Sequence, residues 1–157
     1  MSATFRVVAL PAEPFAPLFD LDDAGLAARG ARRMVVDGQP GYPCRVSLAD
    51  AEIGETVVLL PFVHHDVDTP YRASGPIYVR RGAATAELAP GEIPAMLLHR
   101  QLSLRAYDRA GMMVRSEVLE GSELAAAIGR NFAEPEVAYL HVHNARPGCY
   151  NCRVERA

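Results

Sequence analysis

The chain has 157 residues, half of them hydrophobic, with 22% charged residues, three cysteines and a formal net charge of -3. That length suits a single domain, 1–157, with a core of its own, and the mild negative charge excludes the broad basic field that draws a nucleic acid. No apolar run approaches the ~20 residues of a spanning helix, the amino terminus lacks the pattern of a secretory leader, and the cysteines are too few for a disulfide framework. The expectation is a soluble, cytoplasmic protein with no nucleic-acid or membrane partner.

Phe5 to Leu10 is a β-branched run that reads as a strand. Pro11, Pro14 and Pro17 break regular structure after it. Asp22 or Asp23 caps a short helix from Ala24 to Arg29, which Gly30 stops. Arg33 to Val36 reads as a brief strand closed by Asp37-Gly38. Cys44 is either a small buried apolar residue or a thiol that Arg45 draws toward thiolate. Leu48 to Ile53 reads as one helical turn.

Thr56 to Val63 is the most apolar segment and predicts a strand buried on both faces. Pro61 cannot donate to a ladder, so the strand is an edge there or carries a bulge. His64 and His65 follow. On a regular strand they point to opposite faces, so one of them faces the interior. Tyr71 to Pro76 reads as a strand-entry loop in which Arg72, the Ser74 hydroxyl and the backbone at Gly75 could clamp an anion. Ile77 to Arg80 is the strand it enters.

Ala83 to Glu92 reads as a loop, and Ile93 to Arg100 fits either helix or strand. Gln101 to Tyr107 alternates, with Leu102, Leu104 and Ala106 on one face and Ser103, Arg105 and Tyr107 on the other. Asp108 to Gly111 is a hairpin turn, and Met112 to Leu119 is the return strand. Ser122 caps a helix from Glu123 to Phe132, with Leu124, Ile128 and Phe132 forming one core-facing stripe. Val137 to Asn144 is a strand, and a last strand runs to about Glu155 beyond an Arg146-Pro147-Gly148 turn. Together these elements predict an α+β domain with a mainly antiparallel, curled β-sheet and two or three short helices.

The stretch Tyr139 to Cys152, Y-L-H-V-H-N-A-R-P-G-C-Y-N-C, holds the densest set of potential ligands and nucleophiles. His141 and His143 are two apart on a strand, so they share a face at roughly 6.5–7 Å between Cα atoms. Imidazoles so placed can converge on one metal ion. A two-residue loop at Pro147-Gly148 sets Cys152 opposite His143, whereas a three-residue loop brings Cys149 to the histidine face instead. Pro-Gly favours the unprimed turn and so the longer loop. Nothing after Cys152 looks helical, which separates this C-x-x-C from redox pairs that open a helix.

Two resemblances can be read at this point. GYPCRVSLADAEIGETVVLLPF with HH and TPYRASGPIYVR, together with AYLHVHNARPGCYNCRVERA at the end, resembles the domain-of-unknown-function 1203 family over nearly the whole chain. That resemblance implies a stand-alone, single-domain bacterial protein and carries over no catalytic residues. Locally, Tyr139 to His143 is similar to the alternating motif of the histidine-triad nucleotide hydrolases. Tyr139 stands where that motif has its first histidine, and the upstream Asn and Gly-Gln elements are absent.

Function then divides into classes. An enzyme would use His141 and His143 with Cys149 or Cys152 to hold zinc or another transition metal, leaving a position for water. His65, or its neighbour His64, would serve as base, and Arg72 with Ser74 as anion clamp. Without metal, Cys149 would be a nucleophile paired with a histidine. A binding module would instead hold a small anionic molecule through Arg72, Ser74, Arg105 and Tyr107. A protein-interaction domain would keep these polar residues at its surface.

Overall fold

Where each strand buries its apolar side decides the architecture. The computed structural model describes residues 5–157. In chain order its elements are β1 (Phe5–Val8), α1 (Asp23–Ala27), β2 (Arg32–Val35), β3 (Thr56–His65), β4 (Ala73–Arg80), α2 (Ala95–Leu98), β5 (Gln101–Tyr107), β6 (Met113–Glu120), α3 (Leu124–Phe132), β7 (Tyr139–Asn144) and β8 (Tyr150–Arg156). The main sheet has five strands in the order β1-β8-β7-β5-β6, and a smaller sheet has the order β2-β3-β4. Every strand pair is antiparallel. The fold is α+β, as expected, and neither sheet closes on itself.

The alternation along β5 is the organising pattern. Leu102, Leu104 and Ala106 join Leu140, Val142, Cys152 and Val154 in a single apolar layer. Helix α3 closes that layer with Leu124, Ala127, Ile128 and Phe132, its stripe lying at helical spacing as the sequence predicts. Burial of such side chains contributes roughly 1.5–3 kcal/mol each, so this face is the main source of stability. The helix enters through a short 3-10 turn, Gly121–Glu123, with no side-chain cap. Ser122 therefore lies within that turn and does not cap α3. Gly121 is required there, because a Cβ would come within 1.8 Å of the Leu97 carbonyl oxygen.

At the other end of the chain, Asp22 caps α1 by accepting from the Gly25 N–H at 2.8 Å, and Gly30 ends it at φ +70°. Leu48 to Ile53 is not a helical turn. Cys44 to Leu48 closes a single i to i+4 turn, and Leu48 sits at φ 52°. β3 is buried on both faces only at Val57 and Val58, and Pro61 is exposed. Pro61 pairs with Pro76, and neither has an N–H to give, while β2 has already ended at its Arg32–Leu59 pair. The proline thus occupies an edge, as its chemistry demands. Among the described residues no helix is long and apolar enough to cross a membrane.

Candidate metal centre

The second face of the main sheet is also covered, but not by apolar residues. Its grid comes straight from strand register: Ser103 pairs with His143, Arg105 with His141 and Tyr107 with Tyr139 across β5 and β7. Across β7 and β8, His143 pairs with Tyr150 and His141 with Arg153. The guanidinium of Arg153 lies over the Tyr139 ring, 4.1 Å from its centroid. The end of β3 lies against this layer and delivers His64 and His65 to it.

Two irregularities make that delivery work. Phe62 pairs with Gly75, yet His65, not His64, pairs with Ala73, so β3 carries an extra residue at Val63-His64. The bulge bends the strand and re-aims its side chains. Both histidines then touch the layer. The His64 ring stacks on Tyr150 at 5.3 Å and lies 5.0 Å from the His143 ring, while the His65 ring lies 5.1 Å from that of His141. The expectation that only one of the pair faces inward is corrected by this bulge.

The second irregularity is in β8. Asn144 pairs with Cys149 through its N–H, so the hairpin loop runs from Ala145 to Gly148 and is longer than either turn considered from sequence. Register then shifts by one at Asn151, which leaves Cys152 opposite Val142. Without that bulge Cys152 would have stood opposite His141. With it, the thiol enters the apolar layer under α3, and burial pushes it up to about 12. Cys149 is half-buried at the loop's end, on the parity of Asn144. Neither cysteine belongs to the ligand cluster.

That cluster is His64, His141 and His143, each offering a ring nitrogen within 4.8 Å of the others. His143 Nδ1–H donates to the Gly148 carbonyl at 2.9 Å, which leaves Nε2 with its lone pair free. His64 Nδ1, His141 Nδ1 and His143 Nε2 are all buried with no hydrogen-bond partner. Burial keeps all three rings neutral. It lowers His141 to about 2, helped by His65, His143 and His64. It lowers His64 to about 4, helped by His65 and Arg105. It lowers His143 to about 3 despite the Gly148 hydrogen bond, with Arg105, His64 and Arg45 adding repulsion.

His65 has a different task. Its Nδ1–H donates to the Tyr71 carbonyl at 2.8 Å and its Nε2 accepts from the Tyr139 hydroxyl at 2.6 Å. Both ring nitrogens are occupied, so it braces the layer and has no free lone pair to act as a base. Arg45 is a second brace: fully buried, it donates to the carbonyls of Tyr150 and Pro43. Burial lowers it to about 10, which leaves it charged at neutral pH. Cys44 beside it is buried, its sulfur accepting from the N–H groups of Ser47 and Arg80 at 3.4 Å each.

The structure divides the proposed anion clamp. Arg105 and Tyr107 lie in the histidine layer. Arg72 is exposed and pairs with Asp66 at 2.6 Å, and Ser74 is an exposed residue of β4, not part of a loop. Sequence reasoning missed His64 as a partner of the H-x-H pair, and it missed Tyr150 and Arg45. His64 carried a signal in the His-His doublet. Tyr150 had only its place between the two cysteines.

A family profile described as Protein of unknown function (DUF1203) matches residues 41–156. The chain belongs to this family. No curated protein and no solved structure matches it. The DUF1203 span contains all three clustered histidines, both bulges and the Gly148 carbonyl, whereas β1, α1 and β2 precede it. The centre is thus built wholly from the segment that defines DUF1203.

Proposed function

We propose that this DUF1203 protein is a metal-dependent enzyme whose ion is held by His64, His141 and His143. The observation that carries the reading is a cluster of three histidines, each offering a ring nitrogen within 4.8 Å of the others, and each with a buried ring nitrogen that has no hydrogen-bond partner. An unsatisfied buried polar atom costs about 1–3 kcal/mol, and three in one place make sense when an ion completes them. Neutral imidazoles suit zinc, copper, iron or nickel. Bond lengths near 2.0–2.1 Å set tetrahedral nitrogens about 3.3 Å apart, so the rings would draw together around an ion.

Three protein ligands leave a coordination position open, the pattern of catalytic rather than closed structural zinc. An ion held by these three histidines would lower the pKa of a bound water to about 7 and so could supply hydroxide as nucleophile. The residues around it have supporting parts. The Gly148 carbonyl holds the His143 tautomer, the kind of outer contact that orients metal-bound histidines. Tyr150, stacked on His64, fixes the ring that comes from the smaller sheet.

The test is elemental analysis of untagged protein purified without chelator and then reconstituted with zinc or cobalt(II). One equivalent per chain is expected for the wild type, and none for His141→Ala. A wild type that takes up no metal, or a His141→Ala variant that keeps it, overturns the reading.

A further inference from the structure

The centre contains no negative charge. Its ligands are imidazoles, its nearest charged neighbours are arginines, and Arg105 is the one placed to meet a molecule at the ion. Arg105 is opposite His141 in the β5–β7 register. Its Nε–H donates to the Ser103 hydroxyl at 3.2 Å, which steadies the guanidinium. It has no carboxylate partner among the described residues. It also approaches Tyr107, favouring the ionised phenol against the larger opposing effect of burial. His64, Ser103, Arg105 and Arg153 are the partly exposed members of the layer, while His65, Tyr107, Tyr139, His141, His143 and Tyr150 are buried. Arg153, on the other flank of His141, is already paired with Glu155 at 2.9 Å and lies over the Tyr139 ring. Of the two guanidiniums that flank His141, Arg105 is therefore the one without a carboxylate partner among the described residues.

We infer that the open metal position takes a small oxyanion, carboxylate or phosphate, bound between the ion and the Arg105 guanidinium. This rests on the metal-centre reading above. Neutral imidazoles leave a divalent ion its full charge, and the Arg105 guanidinium adds to it, so an oxyanion would be drawn to the open position in competition with water or hydroxide. A guanidinium fork matches the paired oxygens of a carboxylate or phosphate. Size follows from enclosure. The broad surface cleft lined by Asp108, Arg109, Glu136 and Arg156 is not part of the centre, and the imidazoles are otherwise covered by aromatic rings.

The assignment has a signature of opposite signs. Arg105 repels the bare ion and attracts the anion. Replacing it with a neutral side chain should leave the ion bound at least as tightly while the anion binds about tenfold or more weaker, the value of a charge-assisted hydrogen bond. By reciprocity, the anion should tighten ion binding in the wild type by the same factor that the ion tightens anion binding.

The experiment loads full-length protein with cobalt(II) and follows its visible absorption during separate titrations with acetate and inorganic phosphate, chloride serving as control. Wild type, Arg105→Gln and Arg105→Lys are compared, with Arg72→Gln as a surface control. Saturable spectral change by acetate, phosphate or both, weakened about tenfold in Arg105→Gln and unchanged in Arg72→Gln, supports the assignment, and the more effective anion names the class. Should Arg105→Gln fail to fold, Arg105→Lys decides. It keeps the charge but loses the fork, so it must bind the anion more weakly than wild type while holding cobalt. Equal anion affinity in wild type and the folded variant, or no spectral response to either anion, overturns this inference and leaves the metal centre standing. A wild type that takes up no cobalt removes both.

Discussion

The two faces of the main sheet are built from the same strands and are buried to a similar depth, yet they obey different rules. On the α3 side, Leu102, Leu104, Leu140, Val142 and Val154 pack without a polar atom to satisfy. On the other, Tyr107, Tyr139, His141, His143 and Tyr150 are equally withdrawn from water, and unpartnered ring nitrogens remain among them. Successive residues of β7 alternate between these environments, so Leu140 and His141 are covalent neighbours with opposite duties. The contrast teaches that burial alone does not mark a core. What distinguishes a site here is burial combined with polar groups left incomplete.

The sharpest way to break the comparison is to cut at that neighbouring pair. His141→Ala should abolish metal uptake altogether, whereas Leu140→Ala should keep the metal and lose about 2–5 kcal/mol in urea unfolding, the range for a large-to-small core change. If the histidine face were only a second core, both variants would unfold more easily and metal content would not discriminate them. His141→Leu sharpens the point further. Removing an unpartnered buried nitrogen at near-constant volume should leave the urea midpoint of the metal-free protein unchanged or raised, as expected where stability is held below its optimum for a site.

Next in size is the contrast between the thiols. Cys152 lies in the apolar layer with its pKa raised to about 12 by burial, and Cys149 is half-buried beside the loop. The folded-state value lies above the unfolded one, so at pH 8 the native Cys152 stays protonated, and any stability it lends is lost only as pH rises toward 12. Iodoacetamide at pH 8 should therefore label Cys149 in native protein and Cys152 only after denaturation, read by mass spectrometry of peptides.

Smaller again is Tyr139→Phe. It removes the hydroxyl that donates to His65 Nε2 at 2.6 Å and should lower stability by about 1–3 kcal/mol, the cost of a buried acceptor left alone. Metal stoichiometry should not change, because His65 braces the layer without supplying a ligand. At the bottom of the scale, Arg72→Gln breaks an exposed pair with Asp66 and should shift the unfolding free energy by less than about 1 kcal/mol.

Much of the fold was legible because it depends on period. Leu102, Leu104 and Ala106 against Ser103, Arg105 and Tyr107 announced a strand between two environments, and Leu124, Ile128 and Phe132 announced the helix that covers one of them. The shared face of His141 and His143 followed from the same period of two. What could not be read was every place where the period breaks. The bulges at Val63-His64 and Asn151 are not marked by glycine, and the loop begins at Ala145, ahead of the Pro-Gly pair that drew attention to it. Each break exchanges faces for all that follows. A single unsignalled residue thus turned His64 toward the centre, and another turned Cys152 away from it.

The contact between His143 and Gly148 has one further consequence. The acceptor belongs to the main chain, in a loop whose glycine sits at φ +81°. No side-chain replacement can delete it, so a conventional alanine survey would pass over one of the groups that set the imidazole's orientation. Its variable is contour length: adding or removing a residue between Ala145 and Gly148 would move that oxygen bodily while leaving every histidine in the sequence. The hairpin loop is therefore a tuning element, adjustable by length so long as Gly148 keeps its left-handed backbone.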